Sequence, residues 1–97
     1  MKLVEVAEAN AAKKAMVDLL TVINDELGED IVGKATSGGL YRCTCNIPDD
    51  KPVDLVIYAC PSKFMELYYG NELLQRTRDP QKFVEHLKSV LESMKCP

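Results

Sequence analysis

The chain has no tryptophan and one histidine, His86, and aromatic residues make up only 6% of it. Surfaces that stack bases or sugars need flat rings in number, so neither is expected here. One imidazole also cannot build a multi-histidine metal site. Positive charge is not concentrated: twelve lysines and arginines are scattered along a chain of net charge −3. Phosphate backbones are held by clustered cations that displace counterions, so no nucleic-acid partner is expected. No apolar run approaches the roughly 20 residues of a membrane span, and Met1-Lys2-Leu3-Val4 leads at once into acidic residues, unlike a signal peptide. No membrane partner is expected, and the expected compartment is the cytoplasm. Gly-x-Ser-x-Gly, P-loop and dinucleotide fingerprints are missing, as are internal repeats and low-complexity segments.

What remains is an ordinary globular composition, 46% apolar and 28% charged, over 97 residues. Surface scaling for 10.8 kDa gives about 5,500 Å² folded against about 15,700 Å² unfolded, enough burial for one self-sufficient core. A single domain over 1–97 is expected.

Periodicity assigns the elements. Ala12, Met16, Leu20, Ile23 and Leu27 recur at helical spacing, broadened by Ala9, Ala15, Leu19 and Val22, which predicts a helix over 6–27. Asn10 is an alternative N-cap, with 3–6 then a lead-in strand. Gly28 suits the left-handed position that ends a helix. A short strand is expected over 31–36, a turn at Ser37-Gly38-Gly39, and a second strand over 40–47. In that strand Tyr41, Cys43, Cys45 and Ile47 alternate with Arg42, Thr44 and Asn46, so the thiols point to the core. The loop Pro48-Asp49-Asp50-Lys51-Pro52 precedes a strand over 53–60 that is apolar on both faces, ended by Pro61.

Segments 64–69 and 72–78 read as a hairpin around a type II′ Gly70-Asn71 loop, with Tyr68 opposite Leu73 and Leu67 opposite Leu74. The alternative is a helical turn capped by Ser62. Asp79 and Pro80 then open a helix whose stripe is Phe83, Val84, Leu87, Val90, Leu91 and Met94. The expected fold is α+β: an antiparallel meander of four to five strands, flanked by an N-terminal and a C-terminal amphipathic helix on one face.

Cys43, Cys45 and Cys60 are the one grouping with the appearance of thiol or metal chemistry. A Cys-x-Cys spacing inside a strand is not the tight knuckle that zinc prefers, and a fourth ligand would have to come from Cys96 or His86. Same-face neighbours in a strand lie about 6.5–7 Å apart, which strains a Cys43–Cys45 disulfide. Free cysteine behaves as a small hydrophobe, so core is the expected role, with no metal and no cofactor. His86 falls beside the helix stripe with no orienting partner, and is read as solvated rather than catalytic. Asp25, Glu26, Glu29 and Asp30 sit at the negative end of a helix dipole, as a solvated end or an acidic patch.

Two surfaces remain as candidates. Arg76 and Arg78, with Lys63 and Lys82 near, share one face of the last strand as edge guards or as a patch for an acidic partner. Arg42, Thr44 and Asn46 form a polar row that Val56, Tyr58 and Cys60 join from the next strand. The expected binding surface is therefore Arg42, Thr44, Asn46, Tyr58, Arg76 and Arg78, with no catalytic residues. The expected function is a small non-enzymatic protein-binding module, an adaptor, inhibitor, immunity-type factor or dedicated chaperone, meeting a partner or a second copy as a homodimer. In element order alone, helix, strands, helix in a small acidic chain, it resembles bacterial secretion chaperones, which implies protein binding. The alternatives are a thiol-dependent redox or metal-handling protein using Cys43, Cys45 and Cys60, or a small-molecule pocket lined by Tyr58, Tyr68 and Phe83.

Overall fold

The computed structural model describes residues 3–32 and 41–95, with side chains from residue 10 onward and excluding that of Tyr41. Helix α1 (Leu3–Leu27) is followed by strands β1 (Tyr41–Thr44), β2 (Leu55–Ala59), β3 (Met65–Tyr69) and β4 (Glu72–Thr77), and the chain continues into helix α2 (Pro80–Lys95). The strands form an antiparallel sheet in the order β1-β2-β3-β4, a meander flanked by helices at its N- and C-terminal ends. Helix α1 already begins at Leu3, so 3–6 is not a lead-in strand and Asn10 is no cap. The segment 64–69 is extended rather than helical.

Short connections dictate the antiparallel order of β2, β3 and β4, because two- and three-residue loops cannot carry a crossover. In the β3–β4 loop, Gly70 has φ 61°, and among the described residues Asn71 is not one with positive φ. Positive φ at the first loop position alone is the expected type II′ pattern. In the β2–β3 loop the Lys63 N–H donates to Cys60 O (2.9 Å) and the Cys60 N–H to Phe64 O (3.0 Å). Lys63 closes this three-residue loop at φ 70°, where glycine is the relaxed choice.

One expected pairing is wrong. Tyr68 does face Leu73, but Leu67 faces Gln75 rather than Leu74, because β4 carries a bulge there. Leu74 and Gln75 together oppose one residue of β3. Leu74 then packs against the core, while Gln75 Nε2 donates to the carbonyl of Phe83 at 2.9 Å. The bulge thus ties β4 to the start of α2.

Of the strand expected over 31–36, the described residues are Ile31 and Val32, and Val32 forms an antiparallel bridge with Cys45. Residues 33–40, with the rest of that strand, the turn expected at Ser37-Gly38-Gly39 and Leu40, lie outside the described residues. Asn46 fastens this edge: its N–H donates to Ile31 O (2.8 Å) and its Nδ2 to Asp30 O (2.7 Å).

Helix α2 starts as its sequence predicts. Asp79 Oδ1 accepts from the Gln81 N–H at 3.0 Å, and Thr77 Oγ1 accepts from the Asp79 N–H at 3.1 Å, satisfying donors that a helix start leaves without partners. Phe83, Val84, Leu87 and Leu91 are buried as one stripe. Among the described side chains of α1 the buried ones are Ala12, Met16, Leu19 and Ile23, so Leu19 rather than Leu20 lies on the buried stripe. Met16, Leu19 and Ile23 of α1 and the α2 stripe join Cys43, Cys45, Leu55, Ile57, Ala59, Met65 and Leu67 of the sheet region in one apolar cluster, with Ile47 partly buried against it.

Gly70 gives a direct test of the hairpin. A Cβ added there would lie 3.1 Å from Val53 Cγ2, in a backbone conformation that L-residues avoid. Gly70→Ala is expected to cost about 1–2 kcal/mol. Urea unfolding should show a lower midpoint at unchanged slope, and an unchanged midpoint would contradict this turn geometry.

Candidate functional site

Successive strand residues alternate between faces, so the register of the meander sorts every side chain. Cys43, Ile57 and Leu67 lie opposite one another in the buried cluster. The flanking row of opposed residues is Arg42, Tyr58, Glu66 and Arg76, one from each strand. A second such row is Thr44, Val56, Tyr68 and Leu73. None of these eight belongs to the core cluster.

The two rows make a surface that is neither wholly polar nor wholly apolar. Tyr58 and Tyr68 meet edge to face, with ring centroids 5.6 Å apart and planes at 88°, an arrangement aromatic quadrupoles favour. Val56, between Thr44 and Tyr68 in its row, is only 6% exposed although it lies outside the core cluster. At the margins Leu73 is 45% exposed and Val53 40%. Arg76 Nε and Glu66 Oε2 form an ion pair at 3.1 Å, partly open to solvent, whose contribution to stability is within about 1 kcal/mol. A shallow hollow between Tyr58, Glu66, Tyr68, Gly70 and Asn71 completes the surface.

At one end of this surface sits Phe64. The guanidinium carbons of Arg76 and Arg78 lie 4.0 and 4.3 Å from its ring centroid. Such cation–π contacts hold a charged group in place without neutralising it.

The expected binding residues fare differently. Arg42, Thr44, Tyr58 and Arg76 do come together across the sheet, and Arg78 joins through Phe64. Asn46 does not, because strand alternation ends at Cys45 and its amide turns to the carbonyl of Asp30. Glu66, Tyr68, Leu73 and Phe64 were missing from the expected set. Their signal was the alternation of Phe64, Glu66 and Tyr68 with Met65, Leu67 and Tyr69, carried across to β2.

Cys43 and Cys45 are 1% and 3% exposed. Burial pushes both thiols up, Cys45 to about 12, with Cys43 adding to the shift at Cys45. Cys60 is half-buried beside Glu66 and Arg76, just past the end of β2 and outside the core cluster. Burial first and Glu66 second raise its thiol, against the opposing pull of Arg76. The three described thiols therefore do not converge, and Cys96 lies outside the described residues. Tyr58, Tyr68 and Phe83 do not line one pocket either: Phe83 is sealed in the core cluster, and the two tyrosines stand in the rows outside it. His86 is exposed on α2, and the carboxylates of the run from Asp25 to Asp30 are exposed as well.

An α+β chain whose four-stranded sheet presents a row of mixed aromatic and charged side chains outside its core is the class this geometry defines. Comparison with protein-family models, with curated proteins and with solved structures gave no match.

The buried thiol carries a pH dependence. The Cys45 thiol titrates higher folded than unfolded, so its contribution is fully present below pH 9 and is lost as pH climbs from about 9 to about 12. The loss should reach about 1.4 kcal/mol per pH unit in that window. Cys45→Ala, weaker overall, should show a shallower alkaline decline in urea midpoints. Parallel declines in both proteins would contradict the burial of this thiol.

Proposed function

We propose that this chain is a small non-enzymatic protein-binding module, and that Arg42, Tyr58, Glu66 and Arg76 with Thr44, Val56, Tyr68 and Leu73 form its docking surface. In this reading both helices cover one face of the sheet and the opposite face receives the partner. The observation that carries it is the Tyr58–Tyr68 pair standing with Val56 and Leu73 outside the core cluster. Tyrosine and arginine around an apolar centre are the residues that anchor protein interfaces, because they bury large area and retain a polar tip. Surface rows meant only for water have no need of an aromatic pair beside an exposed leucine.

A single compact domain fits this role, and so does a cytoplasmic setting, where Cys43, Cys45 and Cys60 stay reduced. The thiol-centred alternative has less support, since nucleophilic or metal-binding sulfur must be thiolate and burial opposes that at Cys43 and Cys45. The partner is a second protein or a second copy of the chain.

Photo-crosslinking tests the surface. A photoreactive phenylalanine analogue at Leu73 or Tyr68 should trap one discrete species in the native host, whether a partner or a dimer. The same analogue at Glu85 or Lys88, exposed on α2, should trap nothing discrete. Equal trapping from both regions, or none from Leu73 and Tyr68, would defeat the proposal.

A further inference from the structure

On the footing of the docking surface proposed above, we infer that its Phe64 end is an anchor for a carboxylate-rich segment of the partner protein, held by Arg76 and Arg78. Both guanidinium carbons lie within 4.3 Å of one ring centroid, so the two charges stand within about 8 Å of each other. Like charges held that close gain from an anion that contacts both. Glu66 engages Arg76, whereas Arg78 meets no carboxylate among the described residues and lies over the ring. Stacked, planar guanidinium groups are already oriented, and less entropy is lost when they bind a carboxylate.

The positive charge continues around this end of the molecule. Arg78 also borders an open cleft of about 290 Å³, with Lys14 and Lys63 on its rim beside Asp18 and with Leu19 and Met65 in its lining. Lys63 reaches that rim from a backbone φ of 70°, in the loop position where glycine is relaxed. Cations from α1, the β2–β3 loop and the end of β4 thus gather at one place on a chain whose net charge is −3. An acidic segment with an apolar residue among its carboxylates matches both the stack and the cleft.

A second copy of this chain is the weaker occupant. Its acidic run, Asp25, Glu26, Glu29 and Asp30, is exposed near the end of α1. Docking it onto the Phe64 end of the next copy is head to tail, a contact that opens into filaments unless the rotation closes. Net negative charge on every copy also opposes that association.

The test is an amide and arginine Nε–H NMR titration of the full chain with hexaglutamate, hexaglutamine and inorganic phosphate. Hexaglutamate should move Phe64, Arg76 and Arg78 saturably, and hexaglutamine should not. Arg78→Gln should weaken hexaglutamate at least about fivefold, and Arg78→Lys by nearly as much, because lysine keeps the charge but not the planar fork. Lys63→Gln should weaken it less, with the Phe64 shifts retained. Arg78 is exposed, so its variants should keep the remaining spectrum. Shifts scattered over all basic residues, phosphate binding as tight as hexaglutamate, unchanged affinity in Arg78→Gln, or self-association that Arg78→Gln abolishes would each overturn the inference. Cross-links from Leu73 without peptide shifts at Phe64 would sink this inference alone. Peptide shifts at Phe64 without cross-links would sink the broader docking surface instead.

Discussion

The register of the meander is the constraint on which the other features depend. Cys43, Ile57 and Leu67 must lie level with one another for Met16, Leu19 and Ile23 of α1 and Phe83, Val84 and Leu87 of α2 to join them in one cluster. Side chains alternate with a period of two, so a slip of one residue would carry that apolar row out of the core and bring Arg42, Tyr58 and Glu66 into it. Burying unpaired charge is far costlier than losing a few contacts. The same pairing that builds the core therefore also composes the surface rows.

The bulge in β4 has a comparable reach. With a regular ladder after Tyr68–Leu73, Leu67 would face Leu74 and Met65 would face Arg76, placing a guanidinium level with buried methionine. The extra residue resets the alternation, so that Glu66 faces Arg76 and Met65 faces Thr77. Arg76 reaches Glu66 and Phe64 for that reason. The bulge also places Gln75 where its amide meets the Phe83 carbonyl, and it interrupts the regular edge that β4 would offer to another strand.

Much of this was legible in the residues. The alternation of Cys43 and Cys45 with Arg42 and Thr44 marked an inward thiol row, and both thiols are buried. Asp79-Pro80 marked the start of α2, and Gly70-Asn71 marked the hairpin, because capping and left-handed turns depend on local chemistry. The Leu67–Leu74 pairing failed because a bulge is decided by fit between strands, and nothing local to Leu74 or Gln75 announces it. Asn46 was misplaced because strand alternation was carried past the last ladder residue. Phe64 was overlooked because two arginines reach it only after the bulge resets their phase.

Composition and periodicity by themselves determined the helical course of α1 and α2, the strands β1 and β2, the turn at Gly70-Asn71, and that Cys43 and Cys45 serve the core. These follow from local torsional preference and from the 3.6- and 2-residue periods, both written within a few residues. Tertiary structure alone decided that Arg42, Tyr58, Glu66 and Arg76 form a single row and that Arg76 and Arg78 meet Phe64. That outcome depends on relative strand phase across three pairings, one of them bulged. Phase is settled by how whole strands seat against the helices, a long-range energy that no short window of sequence contains.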